Sequence, residues 1–255
     1  ASQVGTVGHP SNQALTATSG TFSTDLTVDT TTLVTDSTNN RVGVGTASPT
    51  TQLDVTSSGN GEIAIISGTS GITALYMGDS AQKDKGKIFY HNGSDYMAFN
   101  ANGAEQMKID STGAVTKPNQ PAFLARPASQ QANIAVGTEV TVAFGTEVFD
   151  QNADFASNTF TAPVTGKYFL SCQLYIKNID SASSYYETQL ITSNRIHYTI
   201  VDPDFGQDAA YWNLSISVLT DMDAGDTAIV KLVQGAGTAQ TDVETVSQFS
   251  GYLVA

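Results

Sequence analysis

The front of the chain, residues 21–60, has too few bulky side chains to build a core of its own. Its apolar residues are mostly valines and leucines in short alternating strings, which turn residues such as Asn39, Asn40 and Pro49 interrupt. Ordering a residue costs roughly 1–2 kcal/mol of backbone entropy, and this segment buries too little area to offset that cost. It has no heptad repeat, which excludes a coiled coil. We therefore expect three copies to wind around one axis, each strand pairing with a neighbouring chain.

The composition favours strands and disfavours several classes of partner. Hydrophobic residues make up 40 % of the 255 residues and charged residues only 14 %, and the 22 glycines suit strands joined by tight turns. The net charge of −13 repels phosphate backbones and anionic lipids, so nucleic acid is not expected as a partner. No apolar stretch approaches the roughly 18 residues of a membrane helix, so membrane insertion is not expected either.

The pattern of residues 86–110 predicts a meander of three strands. The strand strings are Lys87–His91, Tyr96–Asn100 and Glu105–Ile109. Asn-Gly pairs at 92–93 and 102–103 lie between them, and Asn-Gly is the strongest short hairpin signal because both residues tolerate positive φ. Alternation places the large apolar residues on one side of this sheet: Ile88, Tyr90, Met97, Phe99, Met107 and Ile109.

Three regions follow from the pattern along the chain. Residues 1–20 carry no clear period, which is compatible with a flexible N-terminal segment. Residues 21–116 form the predicted shaft with its meander, and the composition changes at the Pro-rich stretch near Lys117. Residues 117–255 contain longer alternating strings, such as the one from Tyr168 to Ile176. These strings predict an all-β chain, with an intertwined trimeric shaft followed by a β-sandwich head.

Five short sequence segments of the head carry a resemblance to a known family. They are Pro-Ala-Phe-Leu-Ala at 121–125, Val-Phe-Asp at 148–150, Asn-Thr-Phe-Thr-Ala-Pro-Val-Thr-Gly-Lys-Tyr-Phe-Leu at 158–170, Met-Asp-Ala-Gly-Asp at 222–226 and Phe-Ser-Gly-Tyr-Leu at 249–253. Residues 121–255 thus resemble the globular head of complement component one-q and its tumour-necrosis-factor-like relatives. The resemblance implies a ten-strand jelly roll that packs as a tight trimer through aromatic faces. Such heads usually follow a collagen stalk, and no Gly-X-Y repeat is present here.

The shaft resembles repeats of bacteriophage tail fibres. Residues 33–49 end in Asp-Ser-Thr-Asn-Asn-Arg-Val-Gly-Val-Gly-Thr-Ala-Ser-Pro, and Leu-Asp-Val follows at 53–55. Residues 106–115 read Gln-Met-Lys-Ile-Asp-Ser-Thr-Gly-Ala-Val, similar to a second fibre unit. Related units occur in bacterial surface and autotransported proteins, so a cell-surface origin is the alternative. The resemblance implies an elongated trimeric β stalk.

Exposed aromatic and acidic residues of the head are the candidate receptor-binding groups. Aromatic faces stack on sugar rings and anchor protein interfaces, and a rigid jelly roll places function on its loops, of which 201–210 is the best candidate. The candidates are Tyr185, Tyr186, Tyr198, Asp202, Asp204, Tyr211 and Trp212. The alternative is that Tyr186 and Trp212 fill the core or the seam between subunits.

The sequence holds little that suggests catalysis or a cofactor. The three histidines are scattered, and Cys172 shares a strand face with Leu170 and Leu174, as a buried thiol would. Oxygen-rich loops can bind calcium, and the cluster of Asp221, Asp223 and Asp226 is the candidate site, although Asp226 could instead cap its turn. We therefore expect a non-enzymatic protein without an obligatory cofactor, calcium being the open alternative.

The predicted function is that of a homotrimeric virion fibre, of a phage tail or head, whose head binds a host glycan or protein receptor. The N-terminal end would attach to other virion proteins. Two alternatives stay open: a bacterial surface or secreted adhesin of the same build, and a purely structural trimerisation cap. A glycan-cleaving tailspike is disfavoured because the shaft holds too few carboxylates.

Overall fold

The computed structural model describes residues 27–28 and 32–255, and this part of the chain consists of strands and turns. The described residues therefore include no helix, and none that is long and apolar enough to cross a membrane. The predicted N-terminal segment 1–20 lies outside the described residues. The chain divides into two compact units, and the boundary in the sequence lies between Ile66 and Ser67.

The first unit contains a small sheet of four strands in the order β1-β2-β3-β4. The strands are β1 (Thr27–Val28), β2 (Leu33–Asp36), β3 (Arg41–Val44) and β4 (Leu53–Val55). A tight turn with Asn40 at φ 55° joins β2 to β3, and β4 then pairs with β3 in parallel. These strands thus pair with one another within one chain, and the predicted pairing with neighbouring chains stays a prediction. A short turn closes at little entropic cost, so local pairing within one chain prevails.

The apolar residues of this unit remain mostly uncovered, as the sparse side chains led us to expect. Val34 is buried, but Val44 and Leu53 are exposed. Residues 56–71 contain no strand, and the isoleucines there are exposed as well: Ile63, Ile65 and Ile66. One copy of the segment therefore has no core of its own.

The second unit begins with a five-stranded meander in sequence order. Its strands are β5 (Ile72–Met77), β6 (Gly86–His91), β7 (Tyr96–Ala101), β8 (Ala104–Ile109) and β9 (Val115–Thr116). The three predicted strands are confirmed, with one further strand on each side. Asn102 and Gly103 both have positive φ in the second hairpin, as predicted, whereas the first hairpin takes its positive φ at Asp95.

Residues from Ala122 onward form two antiparallel six-stranded sheets. The strands are β10 (Ala122–Arg126), β11 (Glu139–Thr141), β12 (Thr146–Asp150), β13 (Phe155–Ala156), β14 (Thr159–Thr161), β15 (Gly166–Ile179), β16 (Tyr186–Thr192), β17 (Ile196–Val201), β18 (Ala209–Met222), β19 (Thr227–Gln234), β20 (Asp242–Val243) and β21 (Gln248–Leu253). The first sheet has the order β12-β10-β21-β15-β18 and the second β13-β14-β19-β16-β17. The chain alternates between the sheets in the manner of a jelly roll. The jelly-roll-like sandwich is confirmed, and its two sheets contain twelve strands where the prediction had ten.

The core of the sandwich is aromatic at one end. Phe123 has its ring 5.0 Å from that of Phe155, 4.7 Å from Phe160 and 5.0 Å from Phe249. Offset and edge-to-face packing of this kind adds to the stabilisation that burial provides. Cys172 lies in the same core, and burial raises the pKa of its thiol, so the thiol is inert as the sequence suggested.

Candidate functional site

The outward face of the first sheet carries an apolar cluster at one end. Strand β15 buries Tyr168 and Leu170 in the core, yet the residue between them, Phe169, is also apolar and points outward. Because strand side chains alternate, this end of the sheet is apolar on both faces. We call the outward cluster the proximal apolar face, and its members are Leu124, Phe149, Phe169, Leu219 and Tyr252.

The strand register brings these side chains into two adjacent rows. Leu219 and Tyr252 flank Phe169 from the two neighbouring strands, and Leu124 faces Phe149 in the next row. The rings of Phe169 and Tyr252 lie 5.5 Å apart. Phe149, Leu219 and Tyr252 are 50 %, 61 % and 49 % exposed, although their environment is apolar. A contiguous exposed apolar surface of this kind marks an interaction site.

Further along the same sheet the outward face becomes polar and then aromatic again. The hydroxyls of Ser171 and Ser217 are 2.8 Å apart in the polar middle. At the far end, the ring of Tyr175 lies 5.8 Å from that of Tyr211 on the outward face. Trp212 pairs with the buried Ile176 and so lies on the opposite face of β18, where Phe205 stacks on it at 4.9 Å. These four rings, which we call the distal aromatic cluster, all lie at the end of the head where β15 ends and β18 begins.

The loop that carries Phe205 is fixed at its end by a carboxylate. Asp208 accepts hydrogen bonds from the backbone nitrogen of Ser181 at 2.9 Å, from the hydroxyl of Ser181 at 2.8 Å and from the amide of Gln240 at 3.0 Å. These bonds lower the pKa of Asp208 below its ordinary value, the backbone bond from Ser181 having the largest effect. Three distal loops are thereby held together, which keeps the aromatic cluster in place.

Tyr186 is a core residue, and its hydroxyl contacts two of these loops. Its side chain has no exposed surface, and its hydroxyl accepts a bond from the backbone nitrogen of Asp180 at 3.0 Å and lies 2.6 Å from the hydroxyl of Thr241. Burial raises its pKa. A side chain without exposed surface cannot contact a receptor, so the prediction is corrected for Tyr186, and the core alternative holds.

The other predicted receptor-binding residues lie in three separate places. Tyr211 and Trp212 join the distal aromatic cluster, and they are 58 % and 39 % exposed. Asp202 and Asp204 are exposed on the loop that leads to Phe205. Tyr198 is exposed on the outward face of the second sheet, and Tyr185 is half-buried before β16. The structure therefore brings the loop against Trp212, whereas Tyr211 lies on the opposite face of the same strand and Tyr198 is on the other sheet.

Two of the three candidate calcium carboxylates, those of Asp221 and Asp226, have protein partners. Asp221 pairs with the guanidinium of Arg195. Asp226 accepts bonds from the backbone nitrogen of Asp223 at 2.9 Å and from the amide of Asn194 at 3.0 Å, which is how a carboxylate caps a turn. Over residues 27–28 and 32–255, no group of three or more His, Cys, Asp or Glu side chains is arranged to hold a metal ion.

We accordingly expect calcium to leave the stability of the head unchanged. To bind the ion, the carboxylates of Asp221 and Asp226 would have to lose their present ion pair and hydrogen bonds. This loss offsets the free energy that calcium binding would contribute. A thermal melt in the presence of excess chelator and again in millimolar calcium checks this expectation. A rise in Tm with calcium that Asp223→Asn abolishes would contradict it and establish the calcium site.

Several residues of these surfaces escaped the sequence analysis. Phe169 and Tyr252 alternate with core residues of their strands, so alternation alone places them on the outer side of a half-buried sheet and gives no sign of a role. The detectable signal was an apolar residue at consecutive positions, as in Tyr168-Phe169-Leu170. Phe205 stands in a loop without periodicity, and only its proximity to Trp212 in space reveals its role.

A comparison with protein families agrees with the architecture of the head. The family model of the C1q domain matches residues 122–254. Among solved structures, the globular domain of the zebrafish complement 1qA protein is 17 % identical, covering 54 % of this chain and 98 % of that one, with a TM-score of 0.39. Murine APRIL is 12 % identical, covering 53 % of this chain and all (100 %) of that one, with a TM-score of 0.39. No curated protein matches the chain.

Proposed function

The chain belongs to the C1q domain family, and from this premise we propose that three copies assemble into a non-enzymatic fibre that attaches a virion to its host. C1q and tumour-necrosis-factor-like domains are generally structural or ligand-binding modules and typically form homotrimers. The proposal has two parts, the assembly of the head and the binding of a receptor, and each has its own support.

The proximal apolar face supports the assembly, and it is the observation on which the proposal depends. Its aromatic and aliphatic side chains protrude from a sheet whose other face is already packed, so burying them requires another chain. A ring of three identical subunits can bury this face in every copy. The side chains are uncharged, so their burial leaves no unpaired charge.

The distal aromatic cluster supports the binding of a receptor. The stacked rings of Phe205 and Trp212 are partly exposed, and Asp202 and Asp204 provide acceptors on the same loop. Exposed rings beside polar groups suit sugar rings, which present an apolar face and a rim of hydroxyls. Three equal sites on one trimer raise the avidity of weak binding by orders of magnitude. We propose a host-surface glycan as the ligand, with a protein receptor as the second candidate.

The virion surface is the proposed location because of the shaft motif around Asn39-Asn40-Arg41. In the structure these residues form the turn of the β2–β3 hairpin, and Arg41 donates a hydrogen bond to the carbonyl of Pro49 at 2.8 Å. The motif thus builds a compact local unit that a long shaft could repeat. A bacterial surface adhesin could use the same unit, and genes for capsid or tail proteins beside the coding sequence would separate the two locations.

The receptor-binding part is tested with Trp212→Ala in the full chain. Fluorescently labelled protein is applied to a panel of intact bacterial strains, and we expect saturable binding that Trp212→Ala weakens about tenfold, since loss of a stacking ring typically removes 1–3 kcal/mol. Tyr76→Ala, which removes an exposed ring from the meander, is the matched control and should bind normally.

Two results would contradict this part of the proposal. Binding that Trp212→Ala leaves unchanged would move the receptor site away from the distal aromatic cluster. Absence of binding to every strain, by a protein that sediments as a trimer, would favour a purely structural trimerisation cap. Release of sugar from the cells would instead indicate a glycan-cleaving enzyme.

A further inference from the structure

One face of the meander is apolar and uncovered. The register of β5 to β8 places Leu75, Ile88, Phe99 and Met107 in one row, and Tyr90, Met97 and Ile109 in the adjacent row. We call these seven residues the meander apolar face. Leu75 is 56 % exposed and Met97 39 %, although both stand among apolar neighbours. A contiguous apolar surface that stays open to water marks an interaction site, and the described residues leave this face largely open.

The opposite face of the same sheet is covered by the chain itself. Phe89 and Ala98 are buried there, and the ammonium group of Lys87 lies 4.2 Å from the centre of the Phe89 ring. Lys108 similarly approaches the ring of Tyr96. The lysine stems shield the apolar residues of this face while their charges stay in water. The chain therefore protects one side of the meander and leaves the other side open.

We propose that two further copies of this chain cover the meander apolar face, so that three meanders pack face to face around one axis. This inference rests on the proposed trimer of the head. The meander and the head belong to one compact unit, and the amide of Asn119, in the connection, donates a hydrogen bond to Gln106 of β8 at 2.8 Å. A trimeric head therefore brings three meanders to high effective concentration.

The chemistry of the face fits copies of itself. All seven residues are uncharged, whereas Lys87, Glu105 and Lys108 of the same strands lie on the other face. One carboxylate lies at the rim of the face, where Asp95 accepts a hydrogen bond from the hydroxyl of Tyr90 at 3.2 Å. The remaining surface is uncharged, so identical copies meet with little repulsion, and the two methionines can adapt to an irregular interior. All five strands of the meander pair within one chain. The contact is thus made by side chains, without exchange of strands between subunits.

Thiol labelling of the full chain tests the inference. Cys172 is the one cysteine of the sequence and is buried, so a new cysteine reports on its own position. Leu75 and Tyr76 are adjacent, 56 % and 53 % exposed in the single chain, and on opposite faces. We expect Leu75→Cys and Met97→Cys to react with a polyethylene glycol maleimide at least about tenfold more slowly than Tyr76→Cys in the native protein. All three should react equally in denaturant.

Sedimentation of the same samples distinguishes the two ways of failing. Equal labelling of Leu75→Cys and Tyr76→Cys in a protein with the mass of three chains would overturn the inference and leave the trimeric head intact. A mass of one chain for the unsubstituted protein would overturn the proposed trimer, and the inference with it. Slow labelling of Leu75→Cys and Met97→Cys in a trimer supports both.

Discussion

Tyr252→Glu is expected to reduce the mass of the assembly from three chains to one. Tyr252 stands at the centre of the proximal apolar face, with its ring 5.5 Å from that of Phe169. In a trimer the substitution would bury three carboxylates in an apolar seam, and each unpaired buried charge costs several kcal/mol. In a single subunit the residue is 49 % exposed, so the fold itself should tolerate the glutamate. Sedimentation velocity measures the mass, and circular dichroism confirms that the strands remain.

Tyr252→Phe is the matched control. It keeps the ring that packs 5.5 Å from Phe169 and removes only the hydroxyl, so it should leave the trimer unchanged. A trimer that survives Tyr252→Glu would show that subunits meet elsewhere on the head. The exposed Ile196, Tyr198 and Ile200 of the edge strand β17 would then be the next surface to test.

Phe123→Ala is expected to lower the free energy of unfolding of the head by about 3–5 kcal/mol. The side chain is 1 % exposed and contacts three other phenylalanine rings, so truncation leaves a cavity that strands on both sheets border. Denaturant unfolding at one fixed protein concentration measures the change, because the stability of an oligomer depends on concentration.

Phe205→Ala is the control for this substitution. Phe205 is 38 % exposed on a loop, and its truncation should change the free energy of unfolding by less than about 1 kcal/mol. Equal losses for Phe123→Ala and Phe205→Ala would contradict the assignment of the aromatic core to the inside of the sandwich.

The sequence predicted the head and the meander well, because both are encoded by local patterns. Alternation from Tyr168 to Ile176 identified β15, and the Asn-Gly pairs placed the hairpins of the meander within one residue. The apolar side of the meander was also predicted, and the structure confirms that its six residues share a face. The pairing of β2 with β3 within one chain was not predicted, although a short turn makes such local pairing cheap in entropy, and the trimeric winding of the shaft stays a prediction.

The candidate site was predicted less completely because it depends on contacts distant in sequence. Trp212 was identified by its residue type, but its partner Phe205 is revealed only by the fold. Tyr186 has the same residue type as Tyr198, yet one is fully buried and the other is 64 % exposed. Alternation could not separate them, since it does not tell which face of a strand meets the second sheet.

Within the described residues, every sheet strand has a partner strand in the same chain, which has a consequence for biosynthesis. Each polypeptide can complete its hydrogen-bonded ladders on its own, before it meets another copy. Association is then a separate, second-order step, so its rate on refolding should rise with chain concentration while the formation of strands does not. Newly made subunits would then exist as separate folding intermediates. Their exposed apolar surfaces would have to associate into trimers before the subunits aggregate.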